Sequence, residues 1–541
     1  MPRHSLVQPL HKFLESAADW VPKRTALIFY GTRLTYRQLD SQVNQFAHVL
    51  HGLGVTPGER VMLVLPNIPQ LVIAYYGTLK VGGVVVMSNP EADAGQVVRQ
   101  IQQTQARVLV TLRDFGNLVE AVRQGAGLHK IILADIGNVV SGATFKKLLS
   151  RWGLERPADL ANSNVWGSDC LLMSEVMADA VQEPPPINVS GADLAAILYT
   201  SGTTDEPKGV RLTHANLVSN TLQTRHWIQE LGYGTETCLA VVPLIHSYGM
   251  TNAMNIPIAL GATIILMPVF ETEQVLAHIK KYRPTFFPGV PSMYMAINQA
   301  ANVRAYGLDS IKACVSGAAP LPIEVQEAFE KLTRGRLVEG YGLTEASPVT
   351  HANPLYGLRK VGSIGLPIPN TEAKIVDLVT GQDLATGQVG ELVVKGPQVM
   401  QGYWADESGT RAVLREGWLF TGDVAVMDSD GYFKIISRKR DTIMAGDYSV
   451  YPRDVEEVLY ENSKVLEVAV VGVPTFENGQ PVARVKAFVV PRPGSNLSKE
   501  ELLALCRRRL EEYAVPWDIE FRQELPKSFV GKVLRRMLVE E

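Results

Sequence analysis

Hydroxyl-bearing and small residues follow an apolar run near residue 200, and the series ends with a lysine and a glycine. The series is Tyr199-Thr-Ser-Gly-Thr-Thr-Asp-Glu-Pro-Lys-Gly209, directly after the run LAAIL. Residues of these types let a backbone approach a polyphosphate, their N–H and O–H groups can donate to it, and Lys208 adds a positive charge. The spacing is not that of a Walker A loop. Alone, the series predicts either a phosphate loop or an ordinary Ser/Thr/Gly turn.

A second motif, Tyr341-Gly-Leu-Thr-Glu345, places a hydroxyl and a carboxylate beside a glycine. The hydroxyl of Thr344 can bind a phosphate oxygen. The carboxylate of Glu345 can bind Mg²⁺, which prefers hard oxygen ligands and often takes only one or two from the protein. Taken alone, the same five residues are also typical of a loop and a helix cap.

Four further segments complete an ordered set. They are Ser316-Gly-Ala-Ala-Pro320, Thr421-Gly-Asp423, the run VVPLIHSY that contains His246, and the run LPKSFVGKVLRR that contains Lys532. Singly, Asp423 is typical of a turn, His246 of a structural histidine and Lys532 of a solvated basic tail. Taken together in their order along the chain, the segments resemble those of the adenylate-forming superfamily of acyl-CoA synthetases, peptide-synthetase adenylation domains and luciferases.

The resemblance covers nearly the whole chain and is closest to the bacterial long-chain fatty-acyl-CoA synthetases. The stretches that carry it are PGVPSMY (288–294), EGYGLTEASPVTHANP (339–354), GSIGLPIPNTEAKIVD (362–377) and KGPQVMQGYW (395–404). They argue against amino-acid-activating domains more than against ligases of medium-chain or aryl acids. The resemblance implies that a fatty acid attacks ATP to give acyl-AMP and pyrophosphate, and that CoA then displaces AMP. ATP, Mg²⁺ and CoA are the implied cofactors and co-substrates.

The resemblance also implies a role for each matching residue. The nucleotide would be bound by Thr200, Ser201, Gly202, Thr203, Thr204, Gly317, Ala318, Ala319, Gly340, Tyr341, Gly342, Thr344, Asp423, Arg438 and Lys532. Tyr341 would stack on adenine, and Asp423 would accept both ribose hydroxyls, which suits an ionised carboxylate. The catalytic set would be Lys208, His246, Thr344, Glu345 and Lys532, with Glu345 as the Mg²⁺ ligand. The acyl tunnel would be lined by His246, Met250, Val290 and Gly317, and Arg440 would be the hinge.

Three positions depart from the family pattern. Asp205 stands in the phosphate loop where Gly is usual, Arg440 stands at a hinge that is usually Asp or Lys, and Asp447 replaces a Gly in the loop expected to meet pantetheine. A carboxylate near a polyphosphate repels it unless it is paired or turned away. Three alternatives stay open: a fatty-acyl-AMP ligase that loads a carrier protein, a ligase of medium-chain or aryl acids, and a weakened homologue that acts as a binding protein.

The elements that must position these residues alternate along the chain, which predicts an α/β fold with mainly parallel sheets. Apolar runs predict strands at 59–66, 106–112, 130–135, 238–243 and 261–268, and apolar spacing predicts a helix over 35–54 that ends at Gly54. Pro452 predicts a helix start, and Ser498 with Glu501 predicts a capping box. We expect a large domain, 1–437, with a β-rich subdomain at about 371–436, and a small mobile α+β lid domain, 438–541.

Composition excludes several classes of protein. The 541 residues are too many for one ordinary core, and the net charge of −3 gives no indication of nucleic-acid binding. The cysteines form no CxxC pair, which argues against a zinc site or disulfide framework and favours a reducing cytoplasm. The uncharged stretch 237–270 is broken by Asn, Gly and Pro, so we expect a buried helix and strand there. Peripheral contact with the inner membrane, an acyl-carrier-protein partner and a homodimer stay open.

Overall fold

The predicted phosphate loop connects two strands of an eight-stranded sheet. The structure is a computed structural model that describes residues 5–137, 150, 167–200, 207–445, 448–477, 480–527 and 533–539. The strand order in this sheet is Gly402–Tyr403, Gly209–Thr213, Leu194–Tyr199, Val84–Met87, Arg60–Val64, Val108–Leu112, Lys130–Ala134 and Cys170–Leu172. The pairs made by Gly209–Thr213 are antiparallel and the others are parallel. The predicted strands at 59–66, 106–112 and 130–135 are therefore confirmed.

Helices precede, connect and follow these strands, as in other α/β folds. In the first part of the chain they are Lys12–Trp20, Tyr36–Gly52, Pro69–Lys80, Ala94–Thr104, Gly116–Gly125, Met173–Ala178 and His214–Trp227. The helix predicted over 35–54 is confirmed as Tyr36–Gly52, because Thr35 caps its first turn and Gly54 adopts the left-handed conformation (φ +80°) beyond its end. Its apolar residues Leu39, Val43, Phe46 and Leu50 are buried, and Val49 is half-buried.

Two four-stranded sheets carry the motifs of the second half. One has the order Thr237–Ala240, Thr263–Leu266, Thr25–Phe29 and Thr32–Thr35, and the other has the order Ala313–Ser316, Arg336–Gly342, Val349–Ala352 and Leu366–Pro367. Parallel bridges from Phe286 to Cys238 and to Ala313 join them. The motifs at 316–320 and 341–345 therefore begin at the carboxyl ends of neighbouring parallel strands, where α/β sheets commonly bind ligands.

Short helices accompany these sheets. They are Ser247–Gly249, Ile256–Ala259, Thr272–Tyr282, Pro291–Asn298 and Ile323–Thr333, with 3₁₀ turns at Val303–Tyr306, Leu308–Ser310 and Thr344–Ala346. A π-helix, Met250–Asn255, lies within the uncharged stretch 237–270, and all of its residues are buried. The prediction of a buried helix and strand in this stretch is confirmed. Among the described residues, no helix is both long enough and apolar enough to cross a membrane.

Antiparallel strands dominate between residues 372 and 438, as the sequence predicts. In this sheet Glu372–Val376 pairs with Val389–Lys395, which pairs with Trp418–Met427, and the last strand also pairs with Leu414–Arg415 and Phe433–Arg438. The strand Gly402–Tyr403 departs from this pattern, because it pairs with Gly209–Thr213 and belongs to the eight-stranded sheet. The pairing covers an edge whose N–H and C=O groups would otherwise be open. The helix Glu407–Val413 follows it.

The residues after 440 form a smaller α+β unit with a hydrophobic core of its own. Its strands are Ile443–Ala445, Tyr448–Val450, Val465–Glu477, Gln480–Pro491 and Asp518–Phe521, and its helices are Pro452–Tyr460, Lys499–Arg509, Arg535–Val539 and the 3₁₀ turn Glu512–Ala514. Core side chains include Val455, Leu459, Leu502 and Ile519. The predicted fold class is confirmed, with Pro452 at a helix start. The domain boundary at 437/438 and the mobility of the small domain stay predictions.

The helix Lys499–Arg509 has only half of the predicted capping box. Ser498 Oγ accepts a hydrogen bond from Glu501 N at 3.2 Å, so the cap itself is confirmed. The carboxylate of Glu501 does not return to Ser498. It accepts hydrogen bonds from Lys464 Nζ and Asn462 Nδ2, each at 2.8 Å. An ammonium is a stronger donor to a carboxylate than a backbone N–H, which explains why the reciprocal half of the prediction is wrong.

Candidate active site

Most of the predicted motifs meet in one cleft of about 590 Å³. The predicted site residues that line it are Thr200, Lys208, His246, Gly317, Ala318, Gly340, Tyr341, Gly342, Thr344, Glu345, Asp423, Arg438 and Arg440. Met250, Val290 and Ala319 do not line it. Ser201, Gly202, Thr203, Thr204 and Lys532 lie outside the described residues, as do Asp205 and Asp447. The sequence analysis did not select Ser247, Tyr248, Glu391, Tyr403 or Lys439, which also line the cleft.

Asp423 is buried in the wall of the cleft between two partners, Tyr341 and Arg438, and we call these three residues the Asp423 group. The hydroxyl of Tyr341 donates to Asp423 Oδ2 at 2.5 Å, and Arg438 Nε lies 3.3 Å from Asp423 Oδ1. Burial, and then the charge of Asp423, raise the pKa of Tyr341, so its hydroxyl stays protonated and donates. A carboxylate has about four acceptor positions. Asp423 can therefore still accept the two hydroxyls of a ribose.

Glu391 holds the turn that presents Asp423. Its Oε1 accepts a hydrogen bond from Gly422 N at 3.0 Å, and its Oε2 lies 3.0 Å from Lys439 Nζ. Glu391 and Asp423 are carried by the paired strands Val389–Lys395 and Trp418–Met427. A buried glutamate in a strand is unusual, but the sequence does not tell which face of the strand is buried, so no pattern singled it out.

Glycines flank Tyr341 because neighbouring backbones approach closely. A Cβ added at Gly342 would lie 2.0 Å from Pro348 O, and one added at Gly340 would lie 2.8 Å from Val315 Cγ1. Contacts this short do not occur in folded proteins, so an added methyl would force the carbonyl of Pro348 or the side chain of Val315 to shift. The two glycines of the motif therefore set the position of Tyr341 in the wall of the cleft.

Thr200 and Lys208 close the predicted phosphate loop at its base. Thr200 N donates to Lys208 O at 3.0 Å, and Lys208 N donates to Thr200 Oγ1 at 3.1 Å. These bonds continue the antiparallel pairing of Leu194–Tyr199 with Gly209–Thr213 by one step. The backbone of Lys208 is thereby fixed at the wall of the cleft. Its Nζ lies 3.2 Å from Asp406 Oδ2, a partner that the sequence did not indicate.

Glu345 presents a carboxylate to the same cleft. Its Oε1 accepts a hydrogen bond from the Tyr403 hydroxyl at 2.9 Å, and its backbone carbonyl accepts one from Met400 N at 2.8 Å. No described residue donates a hydrogen bond to its Oε2. The hydroxyl of the preceding Thr344 lies 3.5 Å from Ser247 Oγ. We call Lys208, Glu345 and Tyr403 the Glu345 group.

The residues of the Glu345 group fit a magnesium–polyphosphate ligand. Mg²⁺ is usually held by one or two carboxylates together with substrate phosphates. Within the described part of the chain, no group of three or more His, Cys, Asp or Glu side chains could hold a metal by itself. Glu345 would therefore supply the protein ligand through its free oxygen, while Lys208 and Thr344 would supply a cation and a hydroxyl to the phosphate oxygens.

Tyr248, rather than Met250, lines the cleft beside His246. Its N–H donates to His246 Nδ1 at 3.2 Å, and its hydroxyl donates to the carbonyls of Val315 at 2.5 Å and Gly289 at 3.2 Å. Its ring lies against Gly317, where an added Cβ would be 3.0 Å from Tyr248 Cε2. Met250 and Val290 are buried and do not line the cleft. Their place in an acyl tunnel stays a prediction, as does the hinge role of Arg440.

Two family models match the chain over most of its length. One is described as AMP-binding enzyme and matches residues 14–404, and the other is described as AMP-binding enzyme C-terminal domain and matches residues 454–532. The chain belongs to the AMP-binding enzyme family. The resemblance inferred from the motifs is therefore confirmed, and members of this family use ATP.

Named relatives and solved structures extend along the whole chain. A long-chain-fatty-acid–CoA ligase of Bacillus subtilis (strain 168) is 42% identical over 546 residues, which cover 99% of this chain and 96% of the relative. The anthranilate CoA ligase AuaEII in complex with anthranoyl-AMP superposes with a TM-score of 0.84 at 25% identity, covering 99% of this chain and 97% of that one. The Bacillus subtilis O-succinylbenzoate coenzyme A synthetase MenE, in complex with ATP and magnesium, has a TM-score of 0.78 at 25% identity, covering 99% and 100%.

Glu339 lies in the strand Arg336–Gly342, directly before Gly340, and is a buried carboxyl that the sequence did not indicate. Its Oε2 accepts a hydrogen bond from Leu321 N at 3.2 Å. Burial raises its pKa to about 7, although the bond from Leu321 and the positive charge of Arg453 both act in the opposite direction. The folded chain therefore binds a proton at Glu339 in a pH range where the unfolded chain, with a pKa near 4.5, does not.

We expect Glu339→Gln to flatten the dependence of stability on pH. Protonated Glu339 stabilises the folded state below about pH 4.5, and this contribution is lost as the pH rises through about 7. The melting temperature of the wild type, measured by differential scanning fluorimetry, should therefore fall more steeply between these values than that of the variant. Glu273→Gln, at an exposed position, is the control and should follow the wild type. Parallel curves for wild type and Glu339→Gln would contradict the assignment.

We expect Gly342→Ala to weaken AMP binding by at least about tenfold, because the added methyl displaces Tyr341 and a displacement of about 1 Å can cost that much or more. The dissociation constant for AMP can be measured by calorimetry. Gly52→Ala is the matched control, since nothing lies within 4 Å of a Cβ added there. Wild-type affinity in Gly342→Ala would show that Tyr341 does not depend on this close approach.

Proposed function

We propose that the chain is a long-chain fatty-acid–CoA ligase. With ATP and Mg²⁺ it would form fatty-acyl-AMP and pyrophosphate, and with CoA it would then form the acyl thioester and release AMP. The observation that carries the proposal is that the Asp423 group and the Glu345 group line one cleft. The 42% identity to a long-chain-fatty-acid–CoA ligase over nearly the full length of both chains supports the choice of acid and acceptor.

In the first half-reaction, a carboxylate oxygen attacks the α-phosphorus and the bond to pyrophosphate breaks. No protein nucleophile is required, so the residues act by positioning and by charge. Asp423 and Tyr341 would hold the nucleoside, and Lys208 and Thr344 would bind phosphate oxygens as negative charge develops on pyrophosphate. When bound to Glu345, Mg²⁺ would neutralise part of the polyphosphate charge. We also propose that Lys532 acts as a second cation in this step, a role that only its sequence motif supports.

In the second half-reaction, the thiol of CoA attacks the acyl carbon and AMP leaves with the electrons of the C–O bond. We propose that the small domain, 438–541, rotates about Arg440 between the two steps and acts as a lid, because closure of a lid excludes water from a reactive intermediate. Arg440 lines the cleft, so its movement would alter the surroundings of the bound nucleotide directly.

The acyl group would enter beside His246 and Tyr248. Tyr248 is held by hydrogen bonds to two backbone carbonyls, and the methionines Met250 and Met254 are fully buried. Methionine side chains adapt their shape to irregular space, which suits a site that must open for a flexible chain. Transfer to a carrier protein, a homodimer and peripheral contact with a cytoplasmic membrane surface stay as further proposals on sequence grounds.

Mass spectrometry of reaction products tests the proposal. The protein is incubated with ATP, Mg²⁺ and a chain-length series of fatty acids, with and without CoA, and benzoate and anthranilate serve as comparison acids. We expect acyl-AMP from long-chain acids without CoA, and acyl-CoA with it. Acyl-AMP that persists in the presence of CoA would favour a carrier protein as acceptor. Turnover of the aryl acids alone would contradict the proposed substrate class.

A further inference from the structure

The segment that follows the strand Gly402–Tyr403 lies directly against the base of the phosphate loop. Tyr403 is paired with Val210, and Trp404 N donates to Gly209 O at 2.7 Å. Gly209 is the residue after Lys208, so the backbone of the segment is fixed within two residues of the loop lysine. We call residues 403–409 the 403–409 segment.

Tyr403 contacts both charged members of the Glu345 group. Its hydroxyl donates to Glu345 Oε1 at 2.9 Å, and Lys208 Nζ lies 5.0 Å from the centre of its ring. An ammonium at this distance from an aromatic face is attracted to it. A carboxylate oxygen only accepts, so the tyrosine hydroxyl is the donor in this bond. One side chain thereby orients the carboxylate and provides a surface for the ammonium.

Asp406 is a second residue of the 403–409 segment that contacts Lys208. Its Oδ2 lies 3.2 Å from Lys208 Nζ, and its Oδ1 accepts hydrogen bonds from Gly409 N at 2.7 Å and Ser408 Oγ at 3.0 Å. These two bonds cap the helix Glu407–Val413 and hold the carboxylate in place. The carboxylate does not line the cleft, so it acts on a ligand there only through Lys208.

Gly409 leaves room for the lysine. A Cβ added at this position would lie 2.1 Å from Asp406 Oδ2 and 2.8 Å from Lys208 Nζ. Any larger residue would therefore separate the ammonium from the carboxylate. The arrangement of Tyr403, Asp406 and Gly409 is therefore suited to fixing the direction of the Lys208 side chain.

We propose that Tyr403 and Asp406 are positioning residues for the polyphosphate site: Tyr403 orients the metal-binding carboxylate of Glu345, and Asp406 holds Lys208 towards the phosphate oxygens. This inference rests on the proposed function, because it assumes that the cleft binds ATP. Pre-oriented charges bind a ligand more tightly, since less side-chain freedom is lost on binding.

The first test measures nucleotide affinity of Asp406→Asn by calorimetry in the absence of metal. Asparagine caps a helix as well as aspartate does, so the variant removes the charge and keeps the cap. We expect the dissociation constant for ATP to rise about threefold, because a partly exposed ion pair contributes a free energy of this size. The dissociation constant for AMP should not change. Glu407→Gln is the matched control, because this carboxylate is 88% exposed and pairs only with Arg411 among the described residues.

A double-mutant cycle separates positioning from a general structural effect. If Asp406 acts through Lys208, Asp406→Asn should have no further effect on ATP affinity in a Lys208→Ala background. Equal losses in both backgrounds would show that the carboxylate acts elsewhere. If Asp406→Glu keeps the ATP affinity that Asp406→Asn loses, the negative charge of residue 406 is the cause of the effect.

The second test addresses Tyr403 through metal binding. Tyr403→Phe keeps the ring below Lys208 and removes the bond to Glu345. We expect the affinity for Mn²⁺ in the presence of ATP, measured by electron paramagnetic resonance, to fall about tenfold. This is the effect of losing one hydrogen bond to a charged group. Affinity for AMP should not change. Tyr356→Phe, at a side chain 58% exposed, is the control.

Two results overturn the inference on different grounds. In the first, the wild type binds ATP and AMP, Asp406→Asn binds ATP equally well or more tightly, and Tyr403→Phe binds Mn²⁺ as the wild type does. The positioning roles are then wrong, and the proposed function stands. If the wild type binds neither nucleotide, the proposed function fails and the inference fails with it.

Discussion

Pairing along both edges of the strand Gly209–Thr213 fixes the place where the charges of the site meet. Leu194–Tyr199 pairs with one edge and leads into the phosphate loop, and Gly402–Tyr403 pairs with the other edge. The first pairing sets the backbone of Lys208, and the second brings Tyr403 beside it. Glu345 reaches the same place because its backbone carbonyl accepts a hydrogen bond from Met400, just before Gly402. A break in either pairing would separate the lysine from the carboxylate.

The buried carboxylates of the cleft are each stabilised by specific donors. Removing an ionised carboxylate from water costs several kcal/mol unless it is paired. Asp423 has Tyr341 and Arg438, and Glu391 has Gly422 N and Lys439. These donors hold the two carboxylates in fixed positions in the wall of the cleft.

Motifs that are contiguous in sequence could be predicted, and partners that are distant in sequence could not. The family, the fold class and three strands of the parallel sheet, at 59–66, 106–112 and 130–135, followed from the order of the motifs and from apolar runs. Asp406 lies 198 positions along the chain from its partner Lys208, and Tyr403 lies 58 positions from its partner Glu345. No periodicity or local spacing links such residues, so their roles emerge only from the pairing of the strands.

The acyl side was the least predictable for a related physical reason. Apolar residues occupy a tunnel wall and an ordinary core alike, so sequence could not separate Met250 and Val290 from their neighbours. In the structure the ring of Tyr248 lies against Gly317, and Met250 and Met254 are fully buried. Under the proposed function, side chains here would have to move to admit a fatty acid, whereas the Asp423 group already has its partners in place.

The fate of the carboxylate oxygen tests the central claim, that an acid attacks the α-phosphorus of ATP in this cleft. The protein is supplied with a long-chain fatty acid labelled with ¹⁸O in both carboxylate positions, together with ATP, Mg²⁺ and CoA, and the AMP released is analysed by mass spectrometry. The account predicts one ¹⁸O atom in AMP and none in pyrophosphate. Unlabelled AMP, or label in pyrophosphate or phosphate, would contradict it.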